Sequence, residues 1–412
     1  MKYTPNERLQ LKFRVGEGEE DWLFHLKQRA ISLTVDNFEV LTFDREGRPY
    51  AAFVDGKNYR RGLDGRLLEK FSEKGEDGGE QRHRQFLEGE AKQRMLERIY
   101  RRVEELDVGR LRFDEEPSAE MLAELRKWVG WMRRWNGEAL EEEERQFHEI
   151  YRTVSILPPD QYMALVVQTS EGCPWNRCTF CDLYRDRPYR VKTRQELRDH
   201  LEAIRDFLGE GIRLRRSVFV GDANMLTVPN RTLLEGFEQV GEVLGERGSF
   251  YGFTDVFGTR RHDADELVEL QRAGLRRLYV GLETGSDGLL KLLNKPGSAS
   301  DAVGAVRSIR RAGIGVGVIV LLGLGGHSRA RVHEAETVKI LNEMALGKED
   351  MVYFSPLVAH AHGEYSRQVA QKGFWPMAAM AMREQRERME AELRFAEGKP
   401  YTSIYDIRDF IY

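Results

Sequence analysis

The chain has 412 residues, 41% of them hydrophobic, which is enough to fill the cores of two or three domains. Its 64 Lys and Arg residues nearly balance its 68 Asp and Glu residues, so no overall charge favours nucleic acid as a partner. The amino-terminal segment lacks the apolar core of a signal peptide, and no segment approaches the roughly 20 apolar residues that cross a bilayer. We therefore expect a cytoplasmic protein without membrane contact.

Residues 1–155 differ from the rest in their pattern of apolar and polar residues, and this pattern predicts an α+β accessory domain. Apolar segments at 38–43 and 50–54, joined by the turn residues Asp44 to Gly47, predict a β-hairpin. The polar stretch 72–84 predicts a loop. Apolar residues at helical spacing then predict two helices, whose tryptophans we expect to pack on a core rather than stack on a ligand: Met95, Ile99, Val103 and Leu106 in the first, and Trp128, Trp131 and Trp135 in the second.

From residue 163 the pattern changes to short apolar runs, each followed by a helical pattern, which indicates buried parallel strands with crossover helices. The first of these helices opens with a capping box of Thr193 and Glu196. Six such units predict an open, partial (β/α)6 TIM-like barrel over 156–357, with its site at the carboxyl ends of the strands, and a carboxyl-terminal helical extension over 358–412. The six runs are 163–169, 217–220, 250–254, 275–280, 314–322 and 351–354.

The three cysteines of the chain, Cys173, Cys178 and Cys181, fall within nine consecutive positions after the first of these strands. An odd, clustered set cannot form a disulfide framework and indicates metal binding in a reducing compartment. Thiolates select zinc or an iron-sulfur cluster. A structural zinc would need a fourth ligand such as His148 or His200, whereas a [4Fe-4S] cluster with three protein ligands leaves one iron open to a substrate or cofactor. The pattern favours a catalytic cluster.

The loop 172–181 after an apolar strand, at the start of six βα units, resembles the signature of the radical S-adenosylmethionine (radical SAM) superfamily, and the similarity covers residues 163–357. The family's usual spacing is Cys-x3-Cys-x2-Cys, whereas this chain has Cys-x4-Cys-x2-Cys. The aromatic residue before the last cysteine is retained as Phe180. The resemblance implies a [4Fe-4S] cluster held by the three cysteines, with Phe180 beside the cofactor.

The resemblance also implies positions for S-adenosylmethionine. Gly221 and Asp222 stand where the family has a Gly-Gly-Glu-like stretch that receives the methionine amino group. Glu283 lies in a segment similar to the porphyrin-oxidase-like and cobalamin-linked branches, which places it near the ribose or methionine moiety. Gly323 and Gly325 belong to a turn similar to the glycine-rich turn beside the adenosine.

The implied activity is reductive cleavage of S-adenosylmethionine to methionine and a 5′-deoxyadenosyl radical, which abstracts hydrogen from a substrate. That substrate stays open between a small molecule, a peptide and an RNA, and the reaction needs an external one-electron reductant such as flavodoxin or ferredoxin. Because no further cysteine exists, an auxiliary cysteine-ligated cluster is disfavoured. Two alternatives stand beside this one: an iron-sulfur electron-transfer or redox-sensing protein without radical turnover, and a zinc-stabilised RNA-binding protein.

Overall fold

The structure is a computed structural model that describes residues 9–16, 20–74, 80–245, 248–360, 362–395 and 398–412. These residues form two compact units. The first unit comprises the residues up to Thr153, with Ala203–Arg216 and Ile411–Tyr412, and the second comprises Val154–Glu202 and Ser217–Phe410. The division at residues 155 and 357 stays a prediction.

The described part of the first unit contains a nine-stranded antiparallel sheet in the order β8-β7-β6-β5-β4-β3-β2-β1-β9. The predicted hairpin is confirmed as β4 and β5, with Val40 opposite Phe53. The strands are β1 (Leu9–Val15), β2 (Glu20–Leu26), β3 (Ile31–Val35), β4 (Glu39–Phe43), β5 (Pro49–Val54), β6 (Lys57–Arg61), β7 (Leu67–Lys74), β8 (Glu80–Leu87) and β9 (Arg112–Phe113).

The predicted loop over 72–84 is wrong wherever the structure describes it. Residues up to Lys74 continue β7, and β8 pairs with it antiparallel, placing Ser72 opposite Arg82. The outer part of β7 is exposed, so its sequence carries none of the apolar alternation by which a half-buried strand is detected. Residues 75–79 lie outside the described residues.

Three helices follow the sheet in the first unit: α1 (Gly89–Glu104), α2 (Ala119–Arg133) and α3 (Gly137–Ile150). Both predicted helices are confirmed, but Leu106 and Trp135, which were assigned to them, lie just beyond the ends of α1 and α2. Met95, Ile99 and Val103 face one hydrophobic core with the sheet, and Trp128 is only 2% exposed within it. The tryptophans of α2 therefore pack on a core, as expected from the sequence.

In the described part of the second unit, a seven-stranded parallel sheet has the order β10-β13-β14-β15-β16-β17-β18. Its six predicted strands are confirmed, and the partial-barrel fold class with them. Its strands are β10 (Leu165–Gln168), β13 (Val218–Gly221), β14 (Phe250–Thr254), β15 (Leu275–Glu283), β16 (Gly315–Leu322), β17 (Met351–Pro356) and β18 (Tyr401–Ile404), and a separate ribbon pairs β11 (Ser170–Glu171) with β12 (Arg190–Val191).

The seventh strand, β18, was not predicted. It is four residues long, half exposed and polar in its middle, so it lacks the continuous apolar run of the six buried strands. It pairs with β17, placing Phe354 opposite Ile404, and brings the tail back to the sheet.

The remaining helices alternate with the strands of the parallel sheet, and the carboxyl ends of all its strands lie along one edge. The predicted capping box is confirmed: Thr193 Oγ1 accepts from the Glu196 amide at 3.2 Å, and the Glu196 carboxylate accepts from the Thr193 amide at 2.7 Å. None of the described helices is long and apolar enough to cross a membrane. The helices are α4 (Arg194–Leu208), α5 (Asn230–Leu244), α6 (Val256–Arg260), α7 (Ala264–Arg272), α8 (Asp287–Leu292), α9 (Ala299–Arg311), α10 (Gly326–Glu343), α11 (Glu364–Gln371) and α12 (Ala379–Glu392).

Candidate active site

A cavity of about 240 Å³ lies within the second unit, at the edge where the parallel strands end. Its wall is formed by segments that follow successive strands, as the sequence predicts for a partial barrel. Of the candidate site residues, the structure brings five to this cavity: Cys173, Cys178, Cys181, Phe180 and Glu283. Asp222, Gly221, Gly323 and Gly325 are not among the residues that line it.

The cysteine loop is held by hydrogen bonds to the main chain of one neighbouring segment. Thr179 donates its amide to the Leu293 carbonyl at 2.9 Å, and the indole of Trp175 donates to the Asn294 carbonyl at 2.8 Å. Inside the loop, the Asn176 amide donates to the Cys173 sulfur at 3.3 Å. The segment after α8 therefore fixes the position of the loop.

The thiols of Cys178 and Cys181 are largely buried, and burial raises their pKa values to about 11 and about 12. Both thiols are therefore protonated at neutral pH, and ligation of a metal would release their protons. No three His, Cys, Asp or Glu side chains within the described ranges stand in a metal-binding arrangement. The donor set itself, three soft sulfurs on one cavity wall, fits an iron-sulfur cluster.

Asp222 is buried beneath the cysteine loop and holds the loop's entry. Its carboxylate accepts from the Gly172 amide at 2.8 Å, the Gln168 side-chain amide at 2.9 Å and Arg187 Nε at 3.1 Å. Burial raises the pKa of Asp222, while the charge of Arg187 opposes that rise. The carboxylate thus ties the ends of β10 and β13 to the residue before Cys173. Its role toward a cofactor, with that of Gly221, stays a prediction.

Glu283 is directed to the cavity by a local irregularity at the end of β15. The pairing register with β16 shifts between Gly281 and Glu283, and Glu283 itself has a left-handed φ of 62°. Its carboxylate accepts from Lys295 Nζ at 2.8 Å. A side chain at Gly281 would crowd both members of this pair in their present positions, so the glycine leaves room for their approach.

Lys295 lines the cavity but received no role from the sequence. Burial alone would lower the pKa of Lys295, but the charge of Glu283 and its hydrogen bond to Lys295 outweigh that effect and raise it. The pair with Glu283 spans 12 positions of the chain, beyond the three or four that a helical pattern would connect, so no sequence period signals it.

Gly323 and Gly325 shape the turn between β16 and α10, and both have left-handed φ values, of 82° and 68°. The Gly323 amide donates to Gln385 Oε1 at 2.8 Å, and the Gly325 amide donates to the Tyr365 hydroxyl at 2.9 Å. Gly323 borders another cavity, of about 170 Å³, beside α11 and α12. The predicted contact of both glycines with a cofactor stays a prediction.

Two further residues of the wall were missed by sequence reasoning. Asn224 follows β13 and is 3% exposed, and Tyr405 follows β18 and is 2% exposed. Asn224 stands two positions after the Gly221-Asp222 segment, which was the one signal available for it. Nothing in the tail distinguishes Tyr405 from the aromatics around it, because its place depends on the unpredicted strand β18.

Residues 167–337 match the family model described as the radical SAM superfamily, a stretch that contains all three cysteines and strands β13 to β16. The chain thus contains a domain of that superfamily, as the resemblance of the cysteine loop indicated.

Similarity to individual proteins is more restricted. The chain is 27% identical over 171 residues to 4′-phospho-dehydrooxetanocin synthase of Priestia megaterium, a match covering 37% of this chain and 22% of that protein. It is 33% identical over 87 residues to an uncharacterised protein of Methanopyrus kandleri, covering 21% of this chain and 17% of that one. The chain therefore spans less than a quarter of the length of each of these relatives.

Among solved structures, coproporphyrinogen III oxidase of Escherichia coli, described as a radical SAM enzyme, is similar with a TM-score of 0.43. The two sequences are 15% identical, and the match covers 63% of this chain and 56% of that one.

Proposed function

We propose that this protein is a radical SAM enzyme that cleaves S-adenosylmethionine reductively and abstracts hydrogen from a substrate. The observation that carries the proposal is the common location of Cys173, Cys178 and Cys181. They are the three cysteines of the chain, they lie inside the matched domain, and they line one cavity at the carboxyl edge of the parallel sheet. Three thiols leave one iron of a [4Fe-4S] cluster open, as a catalytic cluster requires.

In this proposal the three cysteines hold the cluster, which when bound supplies the electron that splits S-adenosylmethionine. The protein's own residues orient and enclose the reactants. Asp222 fixes the start of the cysteine loop through the Gly172 amide. Apolar side chains of β16 and the segment after β17, Ile319, Leu321 and Leu357, line the cavity and exclude water.

The ion pair of Glu283 and Lys295 is the charged element of the wall that we assign to the cofactor side. Its members are already paired at 2.8 Å, so the pair adds little net charge to the cavity while it presents donors and acceptors at fixed positions. Phe180, Gly221, Gly323 and Gly325 complete the cofactor-binding set that the family resemblance implies. The proposal also includes a cytoplasmic location, an external one-electron reductant such as flavodoxin or ferredoxin, and a substrate that is a small molecule, a peptide or an RNA.

The proposal is tested on protein purified without oxygen and reconstituted with iron and sulfide. Dithionite and S-adenosylmethionine are added, and 5′-deoxyadenosine is measured by chromatography with mass detection. We expect 5′-deoxyadenosine from the unmodified protein and none from Cys178→Ala. Met380→Ala is the control for loss of a sulfur-containing side chain away from the cavity, because Met380 is 73% exposed on α12, and it should retain full formation.

The alternatives predict different results in the same experiment. One such result is a [4Fe-4S] cluster that forms without yielding 5′-deoxyadenosine and shows no spectral change when S-adenosylmethionine is added. That result would indicate an electron carrier or a redox sensor. Bound zinc without iron would contradict both iron-sulfur functions and favour a zinc-stabilised RNA-binding protein.

A further inference from the structure

Two side chains in the wall of the active-site cavity carry buried polar atoms that have no hydrogen-bond partner within the described part of the chain. Asn224 is 3% exposed, and neither its Oδ1 nor its Nδ2 forms a hydrogen bond. The hydroxyl of Tyr405, a residue 2% exposed, likewise forms none. Burying a polar group without a hydrogen bond is unfavourable, and most such groups in proteins are paired. Their common location on one cavity indicates that a ligand supplies the missing bonds.

The structure keeps room for the Asn224 amide. The residue packed against it is Gly258, in the short helix α6, and any side chain at that position would collide with both amide atoms. The neighbouring Asp255 is already engaged, since its carboxylate accepts from the Gly258 amide at 2.7 Å. Asn224 therefore has a side-chain amide whose hydrogen-bonding capacity is unused within the described part of the chain.

Tyr405 is brought to the cavity by the carboxyl-terminal strand. Its amide donates to the Phe354 carbonyl at 2.9 Å, directly after β18, and its ring packs edge to face on Tyr353 at 5.7 Å. Tyr353 and Tyr279, by contrast, both donate their hydroxyls to Asp160, at 2.7 and 2.5 Å. Tyr405 lines the cavity, and of these three tyrosines it is the one whose hydroxyl has no acceptor within the described part of the chain.

We propose that Asn224 and Tyr405 hydrogen-bond the nucleoside part of S-adenosylmethionine. This inference rests on the proposed function and adds two residues that the family resemblance did not assign. The amino acid end of S-adenosylmethionine is charged and, in the proposed function, belongs to the cluster. The ribose and adenine are neutral and carry both donors and acceptors, which match a carboxamide and a phenol. An amide can also bind an adenine edge through two parallel bonds.

The test compares binding by reconstituted protein without reductant, using Asn224→Leu and Tyr405→Phe. Binding of S-adenosylmethionine, of 5′-deoxyadenosine and of methionine is measured by isothermal titration calorimetry under anaerobic conditions. We expect each substitution to weaken binding of the first two by roughly three- to tenfold, the loss of one hydrogen bond, and to leave binding of methionine unchanged.

The matched controls are Gln239→Leu and Tyr353→Phe. Gln239 is a buried amide and Tyr353 a buried phenol, and neither is among the residues that line the cavity. Both control variants should bind all three compounds with unmodified affinity. A second readout is the unfolding temperature of the protein without S-adenosylmethionine. Asn224→Leu and Tyr405→Phe each remove an unpaired buried polar group, so this temperature should be retained or raised, by roughly 2–4 °C.

Each other outcome has a distinct meaning. Unchanged affinities in both cavity variants would overturn the inference and leave the proposed function intact. Weaker binding of methionine with unchanged binding of 5′-deoxyadenosine would also overturn it, because the two residues would then bind the amino acid end. If the unmodified protein does not bind S-adenosylmethionine at all, the proposed function fails first and the inference fails with it.

Discussion

A buried charged cluster in the first unit contrasts with two buried polar side chains in the second. In the first unit, Glu143 lies between Arg48 and Arg61, and all three side chains are at most 5% exposed. Arg48 also pairs with Asp44 at 2.9 Å. In the second unit, Asn224 and Tyr405 are equally buried but have no partner in the described part of the chain. The charged cluster of the first unit is thus paired within the protein, whereas the polar groups of Asn224 and Tyr405 are the ones that we propose to bind a ligand.

The largest expected effect comes from breaking the internal network of the first unit. Glu143→Gln removes the carboxylate shared by Arg48 and Arg61 and leaves both cations buried with less compensation. We expect the free energy of unfolding to fall by about 3–5 kcal/mol. Urea titration followed by tryptophan fluorescence measures the change, since four of the six tryptophans lie in the first unit: Trp22, Trp128, Trp131 and Trp135.

The control for that substitution is Glu144→Gln at the next position, whose side chain is 39% exposed and faces Lys92 at 3.7 Å. An exposed pair of this kind contributes little, so its loss should change stability by under about 1 kcal/mol. Equal effects of the two substitutions would contradict the contrast between a buried and an exposed carboxylate on the same helix.

The second largest expected effect is a pH-dependent loss of stability that originates from His333 in the second unit. His333 is fully buried on α10; it bonds the Leu321 carbonyl at 2.9 Å and the Thr284 hydroxyl at 2.8 Å. Burial lowers the pKa of His333 to about 4, against 6.5 for an ordinary histidine. The unfolded chain therefore binds a proton that the folded protein excludes between pH 6.5 and 4. Protonation of His333 therefore costs no stability above this window. As pH decreases through the window, the free energy of unfolding falls by roughly 3 kcal/mol in total.

Urea unfolding at pH 7.0, 6.0 and 5.0 measures this loss. Other groups also titrate over that range, so the informative quantity is the difference between the unmodified protein and His333→Gln, which cannot take up the proton. We expect the variant to be less stable at pH 7 and to lose less stability on acidification. Parallel pH profiles for the two proteins would show that His333 is not the group responsible.

Local and periodic features of this chain could be predicted from the sequence. The six buried strands of the parallel sheet are recognisable in the sequence as continuous apolar runs, and the cysteine loop follows the first of them. Features that depend on distant partners could not be predicted. The polar hairpin β7–β8 and the short strand β18 are stabilised by pairing with a neighbour and carry no apolar period.

The same distinction applies within the site. Cys173, Cys178 and Cys181 are recognisable because sulfur ligands on one short loop have few other uses. Lys295 belongs to the site because it pairs with Glu283, and Asn224 because Gly258 leaves space for its amide. Neither contact can be predicted from the spacing of these residues in the sequence. A tyrosine in an aromatic tail gives no indication that its hydroxyl will lack a partner.

The smallest expected effect sharpens the comparison at two helix starts, one in each unit. Thr193 and Glu196 form both bonds of a capping box at the start of α4, whereas Ser118 caps α2 through one bond of 3.3 Å to the Met121 amide. Thr193→Ala should therefore cost about 1 kcal/mol and Ser118→Ala somewhat less, as measured by urea unfolding. Thr193→Ser keeps the hydroxyl and should be nearly neutral. A larger cost for Ser118→Ala than for Thr193→Ala would mean that helix-end stability is set by the packing of each helix rather than by the number of capping bonds.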